Sequence, residues 1–223
     1  MPLSLRDKLR AVDAPKKPSP AAPQAPVFDD CWHGSKLFPL ESVPGAWDIP
    51  MDMVQLMESG VLPERLAPER ILYLDTETTG LSGGAGTVAF LTGLGYLTEN
   101  GFLVHQYLMR DYPEERFLLE NVKAMLPQFD VLCTFNGKSF DLPLLQSRFR
   151  MNRMDASVLE KPHIDLLHLA RRVWKLRLGR CNLGRLEEAI FGQPRVDDLP
   201  GSQVPERYFS FLKTGDFMAI ECP

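Results

Sequence analysis

Cysteine is scarce in this chain of 223 residues, and its four cysteines, Cys31, Cys133, Cys181 and Cys222, stand far apart with no C-x-x-C pair among them. That spacing argues against a structural zinc site and against a disulfide framework, and it points to a reducing, cytoplasmic setting. Long apolar runs are missing too. No stretch approaches the roughly 18 residues that a membrane span requires. The opening Met1-Pro2-Leu3-Ser4-Leu5-Arg6-Asp7-Lys8 lacks the apolar centre of a secretory signal. Nor is there an excess of basic charge. The formal net charge is −4, so the chain as a whole is no polyanion coat, and any contact with nucleic acid falls to a local patch. What remains is ordinary for a soluble globular protein: 44% hydrophobic and 24% charged residues. The length suffices for one sizeable α/β domain with an extension.

Residues 1–30 read as an arm without a core. A Pro/Ala tract from Asp13 to Pro26 cannot bury apolar surface and is expected to be an extended linker. Residues 31–69 read as an irregular, Pro-punctuated extension with Trp32 and Trp47 as anchors. The main domain is expected over 70–216, followed by an atypical tail, 217–223. Within the domain, strands are expected at 71–76, 87–97, 102–109 and 131–135, with a hairpin at Asn100-Gly101. A helix should open at Pro113-Glu114-Glu115, another near Phe140 with Pro143 in its first turn, and a third along the Leu166, Leu167, Ala170, Val173 and Trp174 stripe. Further helices are expected over 183–191 and 205–213. Three antiparallel strands followed by alternating helix and strand suggest a mixed, five-stranded, ribonuclease-H-like sheet flanked by helices.

The most informative stretch is Asp75-Thr76-Glu77-Thr78-Thr79-Gly80-Leu81, directly after the apolar run Ile71-Leu72-Tyr73-Leu74. Residues i and i+2 of a strand share a face, roughly 6.5–7 Å apart. Asp75 and Glu77 therefore set two carboxylates side by side at the end of a buried strand. A solvated strand end would explain an isolated D-x-E; the whole string favours oxygen ligands for a hard cation such as Mg²⁺ or Mn²⁺. The second motif is Asn136-Gly137-Lys138-Ser139-Phe140-Asp141. Its Gly-Lys-Ser invites a P-loop reading, which needs a glycine five positions earlier. Leu132 stands there, so the P-loop is rejected. Asp141 at a helix start is a favoured N-cap. It would also point at Asp75 and Glu77 if the fourth strand lies beside the first. Three such carboxylates could hold two cations about 3.5–4 Å apart, the arrangement of phosphodiester hydrolysis.

Together, D-x-E-T-T-G-L and N-G-K-S-F-D-x-P-x-L resemble the first two motifs of the DEDD 3′–5′ exonucleases, and in particular the bacterial YprB-type ribonuclease-H-like family. The similarity continues through Gly86 to Leu91, His163 to Leu167, Leu183 to Glu187, Pro200-Gly201 and Tyr208-Phe209. The resemblance implies metal-ligand and catalytic roles for Asp75, Glu77 and Asp141, and a two-metal site for Mg²⁺ or Mn²⁺. It places Thr79, Gly80 and Leu81, with Asn136 and Phe140, against single-stranded DNA or RNA. It also implies a fourth carboxylate on a C-terminal helix, with a His or Tyr a few residues before it as general base. No His or Tyr follows Tyr208, Asp216 falls in a loop, and Glu221 has no scaffold. The expectation is a C-terminally truncated domain with impaired hydrolysis, or a catalytically inactive nucleic-acid-binding module.

Weaker signals remain. Arg171, Arg172, Lys175, Arg177, Arg180 and Arg185 form one basic run, and Arg148, Arg150 and Arg153 another. Each reads equally well as a phosphate track or as a solvated helix face. His163 reads as structural and Asp165 as a support for the site. Phe135 reads as core, and Phe140 as either core or a base-stacking ring.

Overall fold

The computed structural model describes residues 31–42, 62–63, 66–80, 86–192, 194–195 and 199–216. The arm 1–30, Trp47, Leu81, most of the Gly-rich turn after it, and the tail with Glu221 lie outside these residues.

The described strands are β1 (Trp32–Pro39), β2 (Ile71–Thr78), β3 (Ala89–Thr98), β4 (Gly101–Leu108), β5 (Val131–Thr134) and β6 (His163–Asp165). The helices are α1 (Glu115–Met125), α2 (Asp141–Met151), α3 (Leu166–Leu178), α4 (Leu183–Leu186, continued by a π-helical turn, Glu187–Phe191) and α5 (Val204–Thr214). The strands form one mixed sheet in the order β1-β4-β3-β2-β5-β6. The sheet has six strands rather than the expected five. The additional strand, β1, comes from the stretch that lacks a strand-like apolar pattern. It pairs antiparallel with β4 over its whole length, and its solvent-facing edge residues Ser35, Lys36 and Leu37 explain why the sequence shows no buried alternation there. His33 anchors it: Nε2 lies 3.0 Å from His105 Nδ1, and the two rings stack with the Tyr107 ring. The β3–β4 hairpin falls where Asn100-Gly101 marks it. Gly101 has φ +146°, and a Cβ there would stand 2.1 Å from the Phe38 carbonyl oxygen, so β1 can close on the hairpin only over a glycine.

Alternation along β2 sorts its side chains into two layers. Leu72 and Leu74 join the main core with Phe90, Leu94, Leu118, Val122, Leu132, Leu145 and Phe149, beneath α1 and α2. Ile71 packs on the other side with Val131, Cys133 and Ile164, and Tyr73 and Leu169 lie against them. A central strand covered on both faces reads as a continuous apolar run, which is what Ile71-Leu72-Tyr73-Leu74 is. The third helix begins at Leu166, where its apolar stripe begins, and His163–Asp165 before it forms a short strand parallel to β5. Helix α5 docks through Tyr208, whose ring stacks 3.9 Å from Phe90. No helix among the described residues is long and apolar enough to cross a membrane.

Candidate active site

The site lies at the C-terminal end of β2. On one flank β2 pairs with β3 as far as Thr78. On the other it pairs with β5 only over Ile71–Tyr73. Residues beyond Tyr73 therefore project past β5, and their backbone groups on that flank need other partners. Asp141, the first residue of α2, fills this notch. Its Oδ1 accepts from the Thr76 backbone N–H at 3.1 Å and from the Thr76 hydroxyl at 2.5 Å. The N-cap reading of Asp141 is thereby corrected. The cap residue is Phe140, no side chain caps the helix, and the Asp141 carboxylate is spent on β2 instead.

Asp75 is open to solvent, yet enough protein surrounds it that burial, and then the charge on Asp141, push its carboxyl up to about 6. The Thr76 backbone and the positive charge of Arg195 partly offset the upward push. Asp141 is buried, and burial pushes it above the usual carboxylate range against the two hydrogen bonds from Thr76, with Asp165 adding repulsion. Glu77 follows Asp75 on the same face, half-buried. As the side chains lie, no group of three or more His, Cys, Asp or Glu among the described residues is close enough together to hold a metal ion, while Asp75 and Asp141 are near enough for the charge of Asp141 to act on Asp75.

The loop between β5 and α2 is fixed from below. Asp165, fully buried, accepts from Asn136 N–H at 2.8 Å and Lys138 N–H at 3.0 Å, and also caps α3 through Leu167 N–H at 3.1 Å. Gly137 N–H donates to Thr134 Oγ1 at 3.0 Å, and that hydroxyl meets His163 Nε2 at 2.8 Å. A Cβ at Gly137 would lie 2.5 Å from Thr134 Oγ1, so glycine is required by contact within the protein. The loop N–H groups are consumed by Asp165 and Thr134 rather than turned outward to cradle phosphate, which is the structural reason the Gly-Lys-Ser string is no P-loop. Asn136 takes the left-handed conformation at φ 71°, which asparagine tolerates. Burial, and then the charge of Lys138, lower His163 to about 4, so it is neutral and structural.

The other expected contact residues divide. Thr79 ties the strand end to the next one: its N–H donates to the Val88 carbonyl at 3.0 Å and its hydroxyl accepts from Val88 N–H at 3.1 Å. At Gly80 a Cβ would make only ordinary contact with Thr87 Oγ1 at 3.6 Å, so nothing inside the described protein demands glycine there. Phe140 is exposed beside Asp141, whereas Phe135 packs with the Leu167, Ala170, Cys181 and Leu186 cluster. Two participants have no sequence signal. Thr76 reads only as the outward residue between two acids. Arg195 is 120 positions from Asp75 and comes within range of its charge because the chain folds back along α4, where its guanidinium grips Glu187 at 2.5 and 3.0 Å.

Comparison with known proteins settles the family. A model of the RNase_H superfamily matches residues 72–221, well over half of the chain. The chain belongs to the RNase_H superfamily. The uncharacterized protein YprB of Bacillus subtilis (strain 168) is 40% identical over 146 residues, 64% of this chain and 35% of that protein. A DNA polymerase of Pyrococcus glycovorans is 28% identical over 179 residues, 67% of this chain and 23% of the polymerase. In fold, the chain resembles the family B DNA polymerase of the archaeon Pyrobaculum calidifontis, with a TM-score of 0.54 and 17% identity over 71% of this chain and 23% of that one. The chain thus spans about a third or less of these proteins' own lengths.

Proposed function

We propose that this domain is a metal-dependent nuclease centre that hydrolyses phosphodiester bonds at single-stranded DNA or RNA ends in the 3′–5′ direction. The observation that carries the reading is the Asp75–Asp141 pair: two carboxylates from different elements, coupled by charge at an open strand end, with Glu77 next on the face of Asp75. Membership of the RNase_H superfamily and likeness to DNA polymerases support nucleic acid as the substrate class.

The donor set fits a hard divalent cation, because every side chain in it offers carboxylate oxygen. Asp75, Glu77 and Asp141 would hold Mg²⁺ or Mn²⁺, which supplies Lewis acidity and charge compensation at the scissile phosphate. The chain's own residues do the rest. Thr76 fixes Asp141 through two hydrogen bonds, so one carboxylate oxygen has a defined place. Asp165 and Thr134 hold the loop that presents α2. Among the described residues nothing demands glycine at Gly80, which suits close approach of a nucleotide to the backbone, and the exposed ring of Phe140 suits stacking on a base. A cytoplasmic setting goes with the reading, since Cys31, Cys133 and Cys181 are buried thiols. A second reading, binding without cleavage, is favoured by the commitment of Asp141 Oδ1 to Thr76.

The test is a 5′-labelled single-stranded oligonucleotide incubated with Mn²⁺ and the protein. Stepwise shortening from the 3′ end that disappears in Asp75→Ala and Glu77→Ala supports the nuclease. Binding without shortening, in wild type and variants alike, supports the second reading.

A further inference from the structure

Thr76 follows Asp75 in β2 and holds Asp141 from α2. Its backbone N–H and its hydroxyl both donate to Asp141, at 3.1 and 2.5 Å, and both contacts fall on the same oxygen, Oδ1. A carboxylate oxygen offers two lone-pair sites, so Thr76 occupies both of those on Oδ1. The backbone N–H reaches Asp141 because β5 pairs with β2 only as far as Tyr73 and leaves this flank open. Almost any residue at this position would supply that N–H. The second donor depends on the side chain, and a hydroxyl at this reach comes only from threonine or serine.

The neighbouring strand shows that the hydroxyl is turned to the acid in preference to another partner. Thr76 lies opposite Thr92 of β3 in the antiparallel register. Opposite residues share a face with Cβ atoms about 4.5–5.5 Å apart, where two threonines can satisfy each other. Thr92 is fully buried, and its Oγ1 has no hydrogen-bond partner among the described residues. The rotamer that carries the Thr76 hydroxyl to Asp141 leaves the Thr92 hydroxyl unanswered. A buried polar group without a partner is costly. Stability alone would favour closing the threonine pair, so the bond to Asp141 calls for a reason in the site.

The chemistry of carboxylate ligands supplies that reason. Ca²⁺ takes roughly six to eight oxygens and accepts a carboxylate through one oxygen or both, whereas Mg²⁺ demands a near-octahedral shell and keeps several waters. With both sites on Oδ1 occupied, Asp141 has Oδ2 left to offer. We propose that Thr76 is the specificity-determining residue for the cation: its hydroxyl restricts Asp141 to a single ligating oxygen and so disfavours Ca²⁺ against Mg²⁺ and Mn²⁺. This role rests on the reading of Asp75, Glu77 and Asp141 as cation ligands. Thr76 is a positioning residue in it, acting on the cation through Asp141 alone.

The experiment follows free Mn²⁺ by electron paramagnetic resonance with the whole chain, and displaces bound Mn²⁺ with Ca²⁺ or Mg²⁺ in parallel. Wild type should need a larger excess of Ca²⁺ than of Mg²⁺. Thr76→Val keeps the shape and the backbone N–H and removes the hydroxyl. It should lower the Ca²⁺ excess needed for half-displacement, relative to that of Mg²⁺, by about tenfold, the size typical when a ligand loses its hydrogen-bond partner. Thr76→Ala should shift the ratio the same way, and Thr76→Ser, which retains a hydroxyl, should keep the wild-type ratio. A circular dichroism melt checks that each variant is folded. A bond that serves stability alone would lower the melting temperature and leave the ratio unmoved, and that result overturns the role. So does a ratio that shifts as far in Thr76→Ser as in Thr76→Val, which would place the cause in side-chain shape rather than in the hydroxyl. Mn²⁺ uptake with an unmoved ratio refutes the role of Thr76 alone. A wild type that takes up no Mn²⁺ refutes the reading of the carboxylates as ligands, and the role of Thr76 with it.

Discussion

Asp165→Asn is the substitution that bears hardest on how the site is built. The carboxylate is completely buried, with Oδ1 accepting from Asn136 and Leu167 N–H groups and Oδ2 from Lys138 N–H. Asparagine is isosteric but offers one acceptor oxygen. With the carbonyl kept at Oδ1, its amide donors face the Lys138 N–H, which becomes a buried donor against a donor. The change removes one charge-assisted hydrogen bond, worth about 1.5–3 kcal/mol, weakens two others, and leaves a polar group unsatisfied at about 1–3 kcal/mol. A total loss of about 3 kcal/mol follows, or roughly 6–12 °C in Tm for a chain of this size. The assays are urea unfolding and amide hydrogen exchange. Exchange at Asn136 and Lys138 should accelerate more than exchange at β2, because the loop is released before the sheet. A Tm within about 2 °C of wild type, with Lys138 exchange unaltered, would refute the claim that Asp165 sets the loop.

Three further outcomes follow from the electrostatics. Asp75 is raised to about 6 in the folded protein from an ordinary 3.8, so the folded state binds the proton more tightly and stability is gained as pH falls through 6 toward 4; in chelator, Asp75→Asn should melt above wild type at pH 7.5, by no more than about 1 kcal/mol at this solvent-open group, and the difference should vanish near pH 4. His105 and His163 are lowered to about 4 by burial first, so the unfolded chain takes up protons that the folded one refuses, and stability is lost as pH falls from 6.5 toward 4, by up to about 3 kcal/mol for each; a urea midpoint that falls with acid in wild type and falls less in His163→Gln checks this. The buried Glu115–Arg148 pair, extended by Asn152 Nδ2 at 3.0 Å from Glu115, should cost about 3–5 kcal/mol when Arg148→Met strands the carboxylate, and much less when Glu115→Leu accompanies it, measured by a double-mutant cycle.

Much of the fold was legible because its strongest elements have one-dimensional signatures. Ile71–Leu74 is apolar on both faces, Asn100-Gly101 marks a hairpin, and Leu118, Val122 and Met125 share a helix face. Strand β1 was not legible, since it is an edge whose side chains are largely exposed and whose anchors, His33 on His105 and Gly101 under Phe38, are contacts between distant residues. In the site, the alternation that pairs Asp75 with Glu77 is a sequence property and could be read directly. That Thr76 holds Asp141 could not, because it depends on β5 stopping short of β2 and leaving the Thr76 N–H without a strand partner. The same holds for Arg195, which reaches Asp75 only through the fold of the chain after α4.

Asp75, Glu77 and Asp141 are proposed to hold divalent cations, and a Mn²⁺ titration followed by the electron paramagnetic resonance of the free ion tests that proposal most directly. Wild-type protein should remove Mn²⁺ from the free signal at stoichiometric concentration and release it to excess Mg²⁺. Asp75→Asn should leave the free signal nearly intact, and Asp141→Asn should weaken binding by about tenfold or more, the loss of at least 1.4 kcal/mol. Equal Mn²⁺ uptake by wild type and Asp75→Asn would contradict the assignment.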